Sequence, residues 1–161
     1  METVFISSGI TDKKTRYELL IPQIEALISD EEDLIANLSN IVAGLKYSMN
    51  FFWAGFYFVR GNDLVLGPFQ GPVACTRIPK GKGVCGSCWE SKNTIIVPDV
   101  DKFPGHIACS AESKSEIVTP VKKNGKVEMV LDVDSEKLNN FDEVDKLYLE
   151  KIANLVSGKI A

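Results

Sequence analysis

An α+β fold is predicted, with a central antiparallel sheet and N- and C-terminal helices packed on one face. Three observations predict it. Two apolar stripes of helical period open the chain, and a third closes it. Between them lie short aromatic and β-branched stretches, punctuated by Gly, Asn and Asp. Helices flanking a hairpin-rich sheet bury their stripes by layering against it. The length of 161 residues suggests one domain, 1–161. A chain near this size buries roughly two-thirds of its unfolded surface, so its core needs no disulfide or metal.

The elements follow in order. Tyr17, Leu20, Ile21, Ile24, Leu27 and Ile28 make one helical face over residues 13–29, and Pro22 should kink that helix or mark a restart. Ser29 followed by Glu32 reads as a capping box opening a second helix, with Leu34, Ile35, Leu38, Ile41, Val42 and Leu45 as its stripe. Phe51–Val59 is too aromatic and too short for a good helix and reads as a strand. Gly61-Asn62-Asp63 turns it into a second strand, Leu64–Phe69, and a third covers Val73–Ile78. The glycine-rich Gly81–Gly86 leads into a short helix through Cys88 to Ser91, and Thr94–Val97 is a strand. Asp99–Ala111 reads as a loop. Glu116–Val121 and Val127–Asp134 pair as a hairpin over Lys123-Asn124-Gly125. Asp142 caps the last helix, which carries Val144, Leu147, Tyr148, Ile152, Leu155 and Val156.

Bulk properties exclude some classes. A net charge of −4 argues against nucleic acid as partner, because phosphate binding rests on a basic surface. Lys80 and Lys82 read as a solvated loop. No apolar run approaches the ~20 residues of a membrane span, and METVFISSGI lacks the basic start and long apolar region of a signal peptide. These features predict a cytoplasmic protein with no membrane partner. There, four cysteines suit catalysis or metal binding better than a structural framework.

Period 2 sorts the strands into faces. Phe52, Ala54, Phe56 and Phe58 share one face and read as core. Trp53, Gly55, Tyr57 and Val59 share the other, where the two rings wall a pocket or simply cover the sheet. Asp132 and Asp134 lie two apart on one strand face, and Glu116 on the adjacent strand completes a three-carboxylate cluster. Like charges this close raise one group's affinity for a proton; the alternative is a solvated edge strand. Cys85-x-x-Cys88 fits half a zinc site or a redox pair. Cys75 and Cys109 form no second tight pair for zinc. His106, three residues before Cys109, is placed to activate that thiol or is solvated. Cys88, beside Trp89, suits a small buried hydrophobe.

Together these segments resemble the free methionine-(R)-sulfoxide reductases, catalytic members of the GAF-domain fold. The matching motifs are WAGFY (Trp53–Tyr57), LVLGPFQG (Leu64–Gly71), ACTRIPKGKGVCG (Ala74–Gly86), DVDKFPGHIAC (Asp99–Cys109), SEIVTP (Ser115–Pro120) and LDVDS (Leu131–Ser135). Cys88 and Trp89 depart from the small residues expected there, and Val127-Glu128-Met129 replaces a glycine-containing approach to LDVDS.

The resemblance implies Cys109 as catalytic cysteine, Cys75 as its resolving partner, and Cys85 as a third active-site cysteine. Trp53 and Tyr57 become pocket aromatics. Glu116, Asp132 and Asp134 become the carboxylates that hold substrate and assist catalysis. The implied substrate is free methionine-(R)-sulfoxide, with the N–H groups at Lys82, Gly83, Val84 and Cys85 suited to its carboxylate. A Cys109 sulfenic acid and a Cys75–Cys109 disulfide would follow, recycled by thioredoxin, with no cofactor. A homodimer is compatible with the resemblance. Two rival readings are a non-catalytic GAF sensor of a small ligand and a zinc-binding structural protein.

Overall fold

The computed structural model describes residues 9–107 and 109–161. Residues 1–8 of the segment read against a leader lie outside the described residues, as does Ala108 of the GHIAC motif. No described helix is long and apolar enough to cross a membrane.

The helices are α1 (Lys13–Ile28), α2 (Leu34–Met49), α3 (Gly83–Ser91) and α4 (Glu143–Lys159). The strands are β1 (Trp53–Arg60), β2 (Asp63–Gln70), β3 (Arg77–Pro79), β4 (Ile95–Val97), β5 (Ser115–Lys123) and β6 (Lys126–Ser135). They form one sheet of order β3-β2-β1-β6-β5-β4. Every neighbouring pair is antiparallel. The expected α+β layering therefore holds, with β1, β6 and β5 in the interior of the sheet.

Turn chemistry sets the register. In the β5–β6 hairpin Lys123 pairs with Lys126, leaving a two-residue loop in which Asn124 and Gly125 both have positive φ, 52° and 76°. Asn-Gly adopts this conformation at little strain, and its twist matches that of the strands it joins. The consequence lies at the other end of the hairpin: Glu116 pairs with Asp134, and Val118 with Asp132.

The two sheet faces do different work. Ala54, Phe56 and Phe58 of β1, Ile117 and Val121 of β5, and Met129, Leu131 and Val133 of β6 pack under α1, α2 and α4 as the larger core. The opposite face carries α3 and the second cluster, including Trp53, Tyr57, Val118 and Val130. Phe52 departs from its expected place. It precedes β1, so the strand's alternation does not govern it, and it packs with the second cluster.

Several local expectations need correction. Pro22 neither kinks nor restarts α1, which runs unbroken; Pro22 is exposed, so the missing N–H falls on the watered side. Ser29 is the C-cap of α1, not the start of α2, which is capped by Asp33 accepting from the Ala36 N–H at 2.8 Å. An aspartate one residue before the stripe outcompetes a serine further upstream. The third strand shrinks to β3, because residues 73–76 leave the sheet to carry Cys75 over the pocket. α3 starts earlier than Cys88, at Gly83. A single 3₁₀ turn, Val100–Lys102, interrupts the long loop. Ile35 and Leu147 are exposed although they continue helical stripes.

The ends of the chain are tied by a polar cluster at the helical layer. Asp142 caps α4 and shares a capping box with Asp145, as its position predicted. Asp145 is fully buried, accepts from the Tyr17 hydroxyl at 2.8 Å and pairs with the Lys13 ammonium. Tyr17 also stacks on Tyr148, with ring centroids 5.0 Å apart. A buried carboxylate deprived of a donor is destabilising. Tyr17→Phe should therefore lower the unfolding free energy by about 1–2 kcal/mol in a urea titration. An unchanged midpoint and slope would show that the hydroxyl contributes nothing.

Candidate functional site

The site is built on rows of residues that cross the sheet. Trp53 of β1 pairs with Asp134 of β6, which pairs with Glu116 of β5. One step along, Gly55 pairs with Asp132, and Asp132 with Val118. Cross-strand partners lie on the same face, so the two aromatics and three carboxylates converge there. β6 runs between β1 and β5, which rules out the solvated-edge alternative for its aspartates.

Glycine makes room for the aromatic wall. A Cβ on Gly55 would sit 2.6 Å from the Phe69 Cβ and collide with the Trp53 ring. Without it, the indole lies across the strand, stacked on Phe69 at 5.4 Å and on Tyr57 at 6.1 Å. The Trp53 indole N–H donates to the Pro72 carbonyl at 3.0 Å. The Tyr57 hydroxyl donates to the Cys75 carbonyl, also at 3.0 Å. Both aromatics thus anchor the segment that carries Cys75.

Cys75 and Cys109 form a disulfide with their Cα atoms 5.3 Å apart. Cys109 faces a pocket whose lining includes Trp53, Tyr57, Gly83, Val84, Cys85, Glu116, Asp132 and Asp134. Cys75 closes the margin through its bond to Cys109. Lys82, the N-cap of α3, is exposed and outside the lining. The first N–H groups of α3 have no partner within the helix, and Gly83, Val84 and Cys85 present that end to the pocket. Gly86 permits the approach, since a Cβ there would lie 2.5 Å from the Pro79 carbonyl oxygen.

The pocket floor is acidic and dry. Glu116 and Asp132 are each only 7% exposed. Burial first, and then the neighbouring aspartates, push the Glu116 carboxyl well above its ordinary range. Burial and Asp134 do the same to Asp132. Asp134 rises to about 6; burial raises it, while the Ser113 hydroxyl, which donates to its Oδ1, opposes the rise. The Cys85 Sγ lies 3.9 Å from Glu116 Oε1, and burial followed by Asp132 pushes that thiol up. The buried Oδ1 of Asp132 has no hydrogen-bond partner. No lysine or arginine lines this pocket among the described residues.

Cys85 and Cys88 are both free and buried, and they point to different tasks. The Cys88 Sγ faces the Val118 carbonyl at 3.5 Å, as a small core residue would. Cys85, Glu116 and Asp132 could together hold a cation, with donor atoms within 4.8 Å of one another. That set is not the two-pair thiolate centre of a structural zinc protein. His106 lines the pocket, and burial draws its pKa down. Ser110 and Ser113, absent from the sequence-based site, line it too. A serine in a polar loop carries no mark of this; only the closeness of β5 to the end of β6 shows it.

Fold and site together define a GAF-type domain with a disulfide over an acidic floor. Residues 29–161 match the GAF domain family. "GAF domain-containing protein A" of Dictyostelium discoideum is 59% identical over 98% of this chain and 99% of that protein. The free methionine-R-sulfoxide reductase of Saccharomyces cerevisiae is 44% identical over 93% of this chain and 88% of that one. The crystal structure of the Neisseria meningitidis free methionine-R-sulfoxide reductase with its substrate superposes with a TM-score of 0.94. It is 48% identical, over 98% of this chain and 95% of that one. The chain belongs to the free methionine-R-sulfoxide reductases of the GAF-domain family.

The Asp134 carboxyl sets a pH signature. Its folded pKa, about 6, lies above its ordinary 3.8, so the folded state binds the proton more tightly. Stability from this group is full below pH 3.8 and is lost as pH rises through 6. The difference corresponds to about 3 kcal/mol at neutral pH. Asp134→Asn should therefore raise the melting temperature above pH 7, with the gain shrinking to nothing below pH 4. A pH-independent difference between the two proteins would contradict the assigned carboxyl.

Proposed function

We propose that this chain, acting as one domain over 1–161, reduces free methionine-(R)-sulfoxide to methionine. The observation that carries the reading is the Cys75–Cys109 disulfide closing over the buried Glu116 and Asp132 and the half-buried Asp134 in a reductase family fold. In the reduced protein, the Cys109 thiolate attacks the sulfoxide sulfur. A proton held between Glu116 and Asp132 passes to the sulfoxide oxygen, which is otherwise too basic to leave. The protonated oxygen passes from the substrate sulfur to the Cys109 sulfur as the transient bond between the two sulfurs opens, so methionine departs and Cys109 is left as a sulfenic acid. The Cys75 thiol attacks that sulfur, water leaves, and the disulfide forms. Two electrons from a dithiol protein of the thioredoxin class restore both thiols.

Substrate choice follows from charge. An ionised aspartate receives the ammonium, and Trp53 and Tyr57 flank the methyl-sulfur end. The substrate carboxylate docks on the N–H groups at Gly83, Val84 and Cys85, with Lys82 adding positive charge to the same helix end. A peptide bond removes both charges, which favours the free amino acid. Cys85, close to Glu116, belongs to the proton network of the floor. A reducing cytoplasm suits such a cycle. A sensor that only binds its ligand needs no thiol pair at the pocket margin.

Cys109→Ser should lower methionine formation by roughly a thousandfold or more. Cys75→Ser should release one equivalent of methionine per protein and then stall with thioredoxin as reductant. Glu116→Gln should lose about a hundredfold or more, as expected for removal of a general acid. Chromatography of methionine from resolved R and S epimers, free and peptide-bound, reads all three. Sustained turnover by Cys109→Ser, or preference for the peptide-bound form, would overturn the proposal.

A further inference from the structure

The three carboxylates differ in what donates to them. Asp134 receives a hydrogen bond from the Ser113 hydroxyl at its Oδ1. The Oδ1 of Asp132 is buried without any partner. Glu116 faces the Cys85 thiol at 3.9 Å and shares a side-chain hydrogen bond with Asp132, a contact between two carboxyls that itself requires a proton. A hydroxyl donated to a carboxylate favours its ionised form, and an unpartnered buried oxygen favours the neutral one.

Ser113 is also held more firmly than a loop serine. It is 7% exposed. The next residue, Lys114, donates its N–H to the Ser135 carbonyl at 2.7 Å and accepts from the Val100 N–H at 3.0 Å. Ser115 donates to the Lys137 carbonyl at 2.5 Å. The segment leaving Cys109 is thereby clamped to the end of β6, with the Ser113 Oγ aimed at Asp134.

We propose that Ser113 is a positioning residue that keeps Asp134 the ionised member of the floor, so that Asp134 rather than Glu116 or Asp132 receives the substrate ammonium. This deepens the reductase reading and rests on it. It divides the labour of the floor: Glu116 and Asp132 keep the proton that the sulfoxide oxygen takes, and Asp134 keeps the charge that the ammonium needs. The other titratable groups facing Asp134 are Glu116 on β5, Asp132 on its own strand, Cys85 on α3, Tyr57 on β1 and His106 on the loop. Trp53, its partner on β1, does not titrate. None of these supplies a fixed positive charge, so the hydroxyl is the local device that separates Asp134 from its neighbours.

The test compares wild type, Ser113→Ala and Ser113→Thr. Carbon-13 NMR of aspartate carboxyls in the substrate-free disulfide form, with Asp134→Asn assigning the signal, reads ionisation without turnover. Removing the hydroxyl should move the Asp134 midpoint upward by about one pH unit, as loss of a hydrogen bond to a charged group implies. The KM for free methionine sulfoxide near pH 6.5 should rise about threefold, the change narrowing at higher pH, while single-turnover methionine formation at saturation changes little. Ser113→Thr should restore both. An unmoved Asp134 midpoint, or a KM change independent of pH, overturns the proposal. Absence of reductase activity in the wild type would instead remove the functional reading and leave the NMR result to stand by itself.

Discussion

Three carboxylates stand on two interior strands of a sheet, two of them buried and the third half-buried, and this constraint organises the rest of the molecule. Interior strands ordinarily exclude aspartate, and unpaired buried charge is among the most destabilising features a fold can carry. Here the problem is met by protons instead of counter-ions. No lysine or arginine reaches the pocket among its described lining residues. Burial and the neighbouring carboxylates push the Glu116 and Asp132 carboxyls well above their ordinary range, and a serine hydroxyl eases the charge on Asp134. A floor maintained in this way sets raised carboxyls beside a sulfur pair, the combination on which the proposed mechanism rests.

That floor is affordable because the other sheet face is conventional. Alternation along β1 sends Ala54, Phe56 and Phe58 into the helical layer and Trp53, Gly55 and Tyr57 to the pocket. The same alternation in β6 separates Met129, Leu131 and Val133 from Asp132 and Asp134. Three helices and one dense core support the strands from behind. The chemical face can then give positions to glycine, acid and thiol that a single-core protein would fill with leucine.

Much of this was legible in the chain because it depends on period and on turn chemistry. The alternation of β1 and β6, the Asn124-Gly125 turn and the cap at Asp142 are local signals, and each appears where the sequence placed it. The site was legible by resemblance: Cys75, Cys85, Cys109, Glu116, Asp132 and Asp134 sit in motifs separated by long stretches, and the fold brings them together around one pocket. The illegible parts are those fixed by distant contacts. Ser29 against Asp33 was a competition between two acceptable caps, decided by where the chain enters the helical layer. Phe52 lay one residue outside the strand whose period was used to place it. Ser113 gains its place in the pocket from the Asp134 carboxylate, a partner remote in sequence.

The sulfur bridge also has a mechanical side. Its two cysteines are 34 residues apart, and the span between them contains β3, α3 and β4. Closing a span of that length removes freedom from the denatured chain worth on the order of 4 kcal/mol in the chain-entropy account. The cross-linked molecule is thus the sturdier of the two redox forms, and the dithiol the more easily unravelled and digested.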